Sequence, residues 1–245
     1  MSFINYKRVY SLVVFLSAWF VASNCYADIV ISGTRIIYQQ SAKDVSVKLD
    51  NRGQKPLLVQ SWLDDGRDSV NPQELKLPFL VTPPVSRIDP NKGQTIRITS
   101  LGAELPKDKE SLFWFNVLEV PPKAKNTDGE NIVQLAFRTR IKMFYRPDGL
   151  QSTPEEAATK LQWSLRKDAQ GVYAEVKNSS QYYVSFSDAT YLNNNKKYSI
   201  DTSAIAPGSS ASFKIKDLSN TASGGKIKYS AINDYGGSIE REVNI

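Results

Sequence analysis

Cationic side chains recur near the middle of the chain, in the segment NIVQLAFRTRIKMFYRP from Asn131 to Pro147. If this segment is a β-strand, side chains alternate between its two faces. The polar face then carries Gln134, Arg138, Arg140, Lys142 and Arg146, and the apolar face carries Val133, Leu135, Phe137, Ile141, Met143 and Tyr145. Such a strand is able to pair with a second strand and to bind an anion. The alternative is a core strand with a solvated outer face.

Several kinds of catalytic and metal chemistry are excluded by composition. The sequence has no histidine, and its one cysteine, Cys25, lies in an N-terminal leader. Disulfides, cysteine-based metal sites and histidine-dependent catalysis are therefore excluded from the processed chain. The glycines before Lys226 do not form a phosphate-binding loop, because the upstream glycine and the following Ser or Thr are missing. We expect no enzymatic activity, no cofactor and no metal.

Residues 1–27 have the pattern of a secretory signal peptide. Lys7 and Arg8 precede an uncharged run from Val9 to Val21, and Ala27 offers a small-residue cleavage site. The run is shorter than the roughly 20 residues that span a bilayer, and no later segment is longer, so stable membrane insertion is not expected. Export without disulfides indicates a bacterial periplasm.

The remaining 218 residues (245 − 27) consist mostly of short alternating runs separated by turn residues. Two sets of runs lie on either side of Arg146-Pro147-Asp148-Gly149, a turn or linker signal. This pattern is typical of immunoglobulin-type sandwiches. We therefore predict an all-β protein with domains at 28–148 and 149–245, and a single helical turn at Thr153–Lys160 that Pro154 starts.

Seven segments carry a family resemblance: Gly33–Tyr38, Phe79–Pro84, Arg87–Pro90 with Gly93-Gln94, Phe113–Asn116, Glu119–Pro122, Ile141–Pro147 and Ile232–Gly237. In this order they resemble the PapD-like periplasmic pilus chaperones of the chaperone–usher pathway. The resemblance implies two immunoglobulin-like β-sandwich domains in an L-shaped or boomerang molecule with a cleft between them.

The resemblance also implies three sets of site residues. Arg35 and Lys142 would hold the C-terminal carboxylate of a pilus subunit, as two cations can do through charge-assisted hydrogen bonds. Val133, Leu135 and Phe137 would fill the groove of the incomplete subunit while the backbone supplies its missing strand. Glu119, Arg146 and Asp234 would form an inter-domain salt bridge. From the sequence alone, two solvated cations and an ordinary core strand are the alternatives to the first two sets.

The implied function is that of a periplasmic chaperone that folds fimbrial subunits and delivers them to an outer-membrane usher. A second copy of the chain is a further partner, in a homodimer that covers Val133, Leu135 and Phe137. We call these three residues the apolar row. The segment from Pro121 to Asn131 is polar and short, which resembles the short type of loop between the family's F1 and G1 strands.

The sequence also bears on three other functions. An exported glycan hydrolase would need a carboxylate pair such as Asp64 with Glu119 or Asp234, but no motif supports one. A secreted structural or adhesive sandwich without chaperone activity is the main alternative. Nucleic-acid binding is not expected, because the processed chain is exported and has a charge of only 29 − 25 = +4 after the two leader cations are removed.

Overall fold

The computed structural model of the protein describes residues 28–102, 104–122, 133–220 and 224–245. The predicted signal peptide, residues 1–27, lies outside these residues. So does most of the segment from Pro121 to Asn131, on which the short-loop prediction depends. The described chain is built from β-strands, apart from a 3₁₀ turn at Pro72–Glu74 and one short helix, α1 (Pro154–Thr159). No helix in it is long and apolar enough to cross a membrane.

The first sandwich contains strands β1 (Ile29–Ile31), β2 (Arg35–Gln39), β3 (Asp44–Asn51), β4 (Leu57–Asp64), β5 (Phe79–Thr82), β6 (Val85–Ile88), β7 (Gly93–Ser100), β8 (Ser111–Val120) and β9 (Phe137–Arg146). One sheet has the order β1-β3-β7-β5 and the other the order β2-β9-β8-β4-β6. The two sheets enclose one hydrophobic core.

Alternation of apolar and polar residues decides which face each strand buries. Val47 of β3 lies opposite Ile96 of β7, and both side chains are buried. The larger sheet contributes Phe115 from β8 and Met143 from β9, which have no exposed surface. Each fully buried side chain contributes roughly 1.5–3 kcal/mol, and Ile141, Met143 and Tyr145 pack this end of β9 against the core.

β9 pairs with one strand over nearly its whole length and with another strand over only half of it. It pairs with β8 in antiparallel fashion from Phe137 to Tyr145, whereas β2 pairs with it in parallel only from Lys142 to Arg146. The stretch Phe137–Ile141 is therefore a free sheet edge in the described structure. We call it the free half of β9.

The predicted strand from Asn131 to Pro147 is longer than the strand observed. Residues 133–136 form no strand, and 131–132 lie outside the described residues. The physical reason is the length of β8: Phe137 lies opposite Glu119, and β8 ends one residue later at Val120. Residues before Phe137 therefore have almost no strand to pair with.

The second sandwich contains β10 (Gln162–Asp168), β11 (Gly171–Lys177), β12 (Phe186–Asn193), β13 (Lys196–Ser199), β14 (Ser210–Lys214), β15 (Lys226–Ile232) and β16 (Ser238–Asn244). Its sheets have the orders β10-β11-β14 and β13-β12-β15-β16. Its core is a separate cluster that includes Trp163, Tyr191, Phe213 and Tyr229. The two cores confirm the prediction of two immunoglobulin-like sandwiches.

The helical turn predicted near Pro154 is also present, as α1. Thr153 caps it, because its hydroxyl accepts a hydrogen bond from the Glu156 amide at 3.1 Å, and Pro154 occupies the first turn, where no amide donor is needed. Ala158 is buried, and its carbonyl accepts a hydrogen bond from the Tyr229 hydroxyl at 2.8 Å. The helix thus closes one end of the second core.

The two sandwiches touch through backbone and aromatic contacts beside β8 and β9. The Glu110 amide donates to the Gln181 carbonyl at 2.9 Å. The rings of Phe144 and Tyr183 lie 5.7 Å apart. These contacts place the end of β9 that carries Lys142 and Arg146 directly at the junction.

Candidate functional site

Arg35 and Lys142 lie side by side at the junction, as predicted. They are register partners in the parallel β2–β9 pair, so their backbones are about 4.8 Å apart. Arg35 donates from its guanidinium to the Ile232 carbonyl at 2.9 Å, and Lys142 donates from Nζ to the Ser185 hydroxyl at 3.1 Å. β2 and β9 thus supply the cations, and the second sandwich supplies the acceptors that orient them.

The two cations are not neutralised within the described chain. Neither Arg35 nor Lys142 forms an ion pair there, and the buried Nε of Arg35 has no hydrogen-bond partner. Burial lowers the pKa of Lys142, and the nearby charge of Arg35 lowers it further. Burial likewise lowers the pKa of Arg35, although Asp234 and Glu110 act in the opposite direction. Two partly desolvated positive charges with free donors form a site for an anion.

The apolar residues predicted to meet a subunit lie at the surface. Val133 is 83% exposed, Leu135 62% and Phe137 63%. Phe137 begins the free half of β9, whereas Val133 and Leu135 precede the strand. A free sheet edge with apolar side chains beside it is a template for pairing with another chain.

Phe137 and Lys142 occupy odd and even positions of β9, so their side chains face opposite sides of the sheet. Odd positions such as Met143 face the core, and even positions such as Arg140 and Lys142 face the outer side of the sheet. A strand that pairs with the backbone at the free edge has side chains on both faces. One extended strand paired at this edge would therefore have side chains on the face of Phe137 and on the face of Lys142.

The inter-domain ion network contains two of the three predicted residues. Arg146 binds Asp234 through two hydrogen bonds of 2.6 and 2.9 Å, and it binds Glu110 at 2.7 Å. Glu110 also accepts a hydrogen bond from the Tyr183 amide at 2.8 Å, so it joins both sandwiches. The carboxylates and their hydrogen bonds raise the pKa of Arg146 against the effect of burial, and burial raises the pKa of Glu110.

Glu119 is not part of this network, so its predicted role is corrected. Its carboxylate is buried and accepts a hydrogen bond from the Ile29 amide at 3.3 Å. Glu119 lies opposite Phe137, nine residues from Arg146, which at about 3.3 Å per residue is roughly 30 Å along the sheet. The register that pairs Ser111 with Tyr145 instead brings Glu110 to Arg146.

Two residues that contact the predicted site were not expected from the sequence. Glu110 sits one residue before β8 and becomes visible only once the β8–β9 register is known. Ser185, which is 1% exposed, touches Lys142 across the junction, and no sequence signal marks it. Both contacts depend on long-range pairing, which a local pattern does not specify.

The carboxylates considered for a hydrolase do not form an acid–base pair. Asp64 binds Arg140 and Arg138, Glu119 binds a backbone amide and Asp234 binds Arg146. Asp64 and Glu119 lie on strands β4 and β8 with about five residues of register between them, or roughly 17 Å. In the described ranges there is no group of three His, Cys, Asp or Glu residues able to hold a metal ion.

Comparison with known families gives two matches that together span most of the chain. Residues 28–151 match the family described as pili and flagellar-assembly chaperone, PapD N-terminal domain. Residues 156–243 match pili assembly chaperone PapD, C-terminal domain. Both descriptions are of chaperones and not of enzymes, in agreement with the sequence-based prediction.

Comparison with individual proteins indicates the same family. The chain is 48% identical over 246 residues to the probable fimbrial chaperone YadV of Escherichia coli strain K12, covering 99% of this chain and 100% of the relative. A crystal structure of a YadV chaperone has a TM-score of 0.79, with 89% of this chain and 100% of that chain covered at 48% identity. The SafB chaperone of Salmonella enterica, solved in complex with the SafA pilin, shares the fold with a TM-score of 0.73 at 24% identity, covering 91% of this chain and 98% of that chain. The chain therefore belongs to the PapD family of pili assembly chaperones.

Proposed function

We propose that this protein is a periplasmic chaperone that captures fimbrial subunits on the free half of β9 and anchors their C-terminal carboxylate on Arg35 and Lys142. The observation that carries the proposal is the position of two unneutralised, partly buried cations beside a free sheet edge with an exposed apolar row. Each feature alone is costly to a soluble protein. A ligand with an extended strand and a terminal carboxylate satisfies both at once.

The anchor sets the register of the captured strand. A carboxylate between Arg35 and Lys142 receives charge-assisted hydrogen bonds, which contribute about 1.5–3 kcal/mol each. Because the site is at one end of the free half of β9, a strand that begins there and runs along the edge reaches Phe137 after about five residues. The anchored end thus decides which subunit side chains lie beside the chaperone's apolar row.

Val133, Leu135 and Phe137 supply the apolar part of the interaction. Their exposure leaves them free to enter a groove on a subunit, and burial of each side chain contributes roughly 1.5–3 kcal/mol. Backbone pairing along Phe137–Ile141 adds the missing strand to the subunit. Val133 and Leu135 would join β9 only on binding, since they form no strand in the free chaperone.

The Arg146–Asp234–Glu110 network holds the sandwiches at the angle that keeps the anchor open. Lys142 is oriented by Ser185 and Arg35 by Ile232, both in the second sandwich, so the angle between the sandwiches determines where the cations point. Arg146 binds carboxylates from both sides of the junction and is well placed to maintain that angle.

The remaining parts of the proposal come from the sequence and the family. Residues 1–27 direct export and are removed, and the domains are 28–148 and 149–245. The short, polar segment from Pro121 to Asn131 supports membership of the short-loop type. An outer-membrane usher receives the loaded subunit, and a homodimer covers the apolar row when no subunit is bound.

The decisive experiment is co-expression with a fimbrial subunit from the same gene cluster, followed by purification of the complex from periplasm. Arg35→Ala and Lys142→Ala should each reduce subunit recovery at least about tenfold, since each removes a charge-assisted contact. Lys48→Ala is the matched control, because Lys48 is an exposed cation paired with Asp50 on the other sheet. Normal recovery with both anchor variants, each shown to be folded, would refute the anchor.

A further inference from the structure

Asp64 is a buried carboxylate on the outer face of the larger sheet, away from both cores. It ends β4, and 1% of its side chain is exposed. The alternation of β4 places Leu63 in the core and Asp64 on the opposite face, together with Trp62. A charge in such a place needs several partners to offset its loss of hydration.

The partners of Asp64 come from three different parts of the sandwich. Its carboxylate accepts hydrogen bonds from the Gly66 amide at 2.7 Å, from Asn116 of β8 at 2.8 Å and from Arg140 of β9 at 3.0 Å through Nε. Arg140 also donates from Nη2 to Oδ1 of Asp64, and Nη2 of Arg138 lies 3.5 Å from Oδ2 of Asp64. One carboxylate therefore ties β9 to a strand that is not its neighbour.

The two arginines are themselves held in place. The Arg140 guanidinium lies 4.2 Å from the centre of the Trp114 ring, and that of Arg138 lies 5.1 Å from the Trp62 ring. Arg138 also donates to the Asn116 side chain at 2.9 Å and to the Asp68 carbonyl at 2.8 Å. Ionic, cation–π and hydrogen-bonding contacts thus converge on two side chains that are both in the free half of β9.

This location is informative because the free half of β9 has a single neighbouring strand. Backbone groups that face away from β8 have no partner there in the described structure, and a stretch with few contacts opens more readily than a paired one. Arg138 and Arg140 supply side-chain restraints in the same stretch where backbone restraints are missing.

We infer that Asp64 is a positioning residue, which acts through Arg138 and Arg140 to hold the free half of β9 in strand geometry before a subunit arrives. The inference rests on the proposed function, because it assigns the held edge to subunit capture. A pre-ordered edge loses less conformational freedom on pairing, so capture is faster and tighter. Asp64 itself is too deeply buried to touch a bound subunit, so any effect of its replacement on capture must pass through β9.

The test compares Asp64→Asn with Asp65→Asn, a neighbouring carboxylate that pairs with Arg67 at the surface. Hydrogen exchange is measured in the free chaperone, and subunit capture is measured by its association rate. We expect Asp64→Asn to speed exchange about tenfold in residues 137–141, with little change elsewhere, and to slow capture about tenfold. Asp65→Asn should change neither.

Variants of Arg140 keep the test decisive if Asp64→Asn does not fold, since Arg140 is partly exposed. Arg140→Lys keeps the charge and should retain part of the slow exchange, whereas Arg140→Met should lose it. Unchanged exchange in residues 137–141, or faster exchange spread over the whole first sandwich, would overturn the inference. Because exchange is measured without a subunit, a wild-type protein that captures no subunit would refute the proposed function and leave the positioning result to be judged separately.

Discussion

At the scale of single residues, Lys142 carries a positive charge that is unfavourable in the free chaperone. Its ammonium group is partly buried beside Arg35, with one hydroxyl contact to Ser185 and the Trp114 ring 5.5 Å away. Burial and the neighbouring cation lower its pKa, so the folded protein binds this proton less tightly than the unfolded chain does. A bound carboxylate would remove that disadvantage.

The first prediction concerns Lys142→Met, which keeps the aliphatic stem and removes the charge. Because the charge is unfavourable in the free chaperone at neutral pH, we expect a melting temperature equal to or above that of the wild type, together with at least about tenfold weaker subunit capture. Differential scanning fluorimetry and co-purification measure the two effects. A marked loss of stability would show that Lys142 serves the fold and not the ligand.

The lowered pKa of Lys142 also predicts that subunit capture depends on pH. The pKa of Lys142 in the folded protein lies below the ordinary lysine value of about 10.4. As the pH rises towards that value, wild-type capture should weaken, and the destabilising effect of the Lys142 charge on the free chaperone should disappear with the proton. Lys142→Met should show neither of these Lys142-dependent changes. Capture that stays constant up to pH 10.4 would contradict the anchor.

The second prediction concerns Leu135, an exposed residue of the apolar row. Leu135→Glu should abolish capture, because a carboxylate would have to enter an apolar groove, while the free energy of unfolding should change by less than about 0.5 kcal/mol. Leu58→Glu offers a control at another exposed leucine, on β4. If the control abolishes capture equally, the loss does not report on the apolar row.

At the scale of elements, β9 combines two roles along one strand. From Lys142 to Arg146 it lies between β2 and β8 and carries Met143 into the core, whereas from Phe137 to Ile141 it has β8 alone. The paired half is restrained on both sides, whereas the free half has one side without a strand partner in the described structure. The division falls at Lys142, so the proposed anchor lies at one end of the free half.

The third prediction follows from that division. Subunit binding should protect amides in residues 137–141 from hydrogen exchange by at least about tenfold, because they gain strand partners. β16, the edge strand of the second sandwich, is an internal comparison and should change little. Protection confined to β16 or to another edge would place the subunit elsewhere.

At the scale of the whole molecule, the junction links the anchor to the relative position of the sandwiches. Arg146 connects Glu110 of the first sandwich with Asp234 of the second, and Glu110 also binds the Tyr183 amide. Breaking a buried ion pair by removing one partner costs about 3–5 kcal/mol, more than an exposed pair contributes. The junction is therefore a specific joint and not a loose linker.

The fourth prediction separates Glu110 from Glu119. Arg146→Ala and Glu110→Gln should broaden the distribution of shapes in small-angle scattering and reduce capture, with the larger effect for Arg146→Ala because it leaves Glu110 buried without its cation. Glu119 lies far from the junction, so Glu119→Gln should leave the scattering unchanged. The network assignment would be wrong if Glu119→Gln altered the shape as much as Glu110→Gln.

Many features were predictable because they depend on local order along the chain. Strand alternation predicted two all-β sandwiches, Pro154 predicted the helical turn, and the parity of residues 133–146 separated the apolar row from the cations. The family resemblance correctly indicated that Arg35 and Lys142 would meet. Two predictions were wrong: the resemblance grouped Glu119 with Arg146, and the alternating pattern extended β9 beyond the end of its partner β8.

The sequence by itself therefore determined the class of fold, the division into two sandwiches, the alternating faces of β9 and the absence of histidine chemistry, since these follow from residue type and spacing of two. The tertiary structure alone decided that Glu110 binds Arg146, that Ser185 orients Lys142, that Asp64 reaches β9 across β8, and that the free edge ends at Lys142. The first three contacts join residues 36 to 76 positions apart, and the Arg35–Lys142 pairing that ends the free edge joins residues 107 positions apart (142 − 35). Strand register and the packing of one sandwich on the other set such distances, and a shift of one residue would turn each side chain to the opposite face of its sheet.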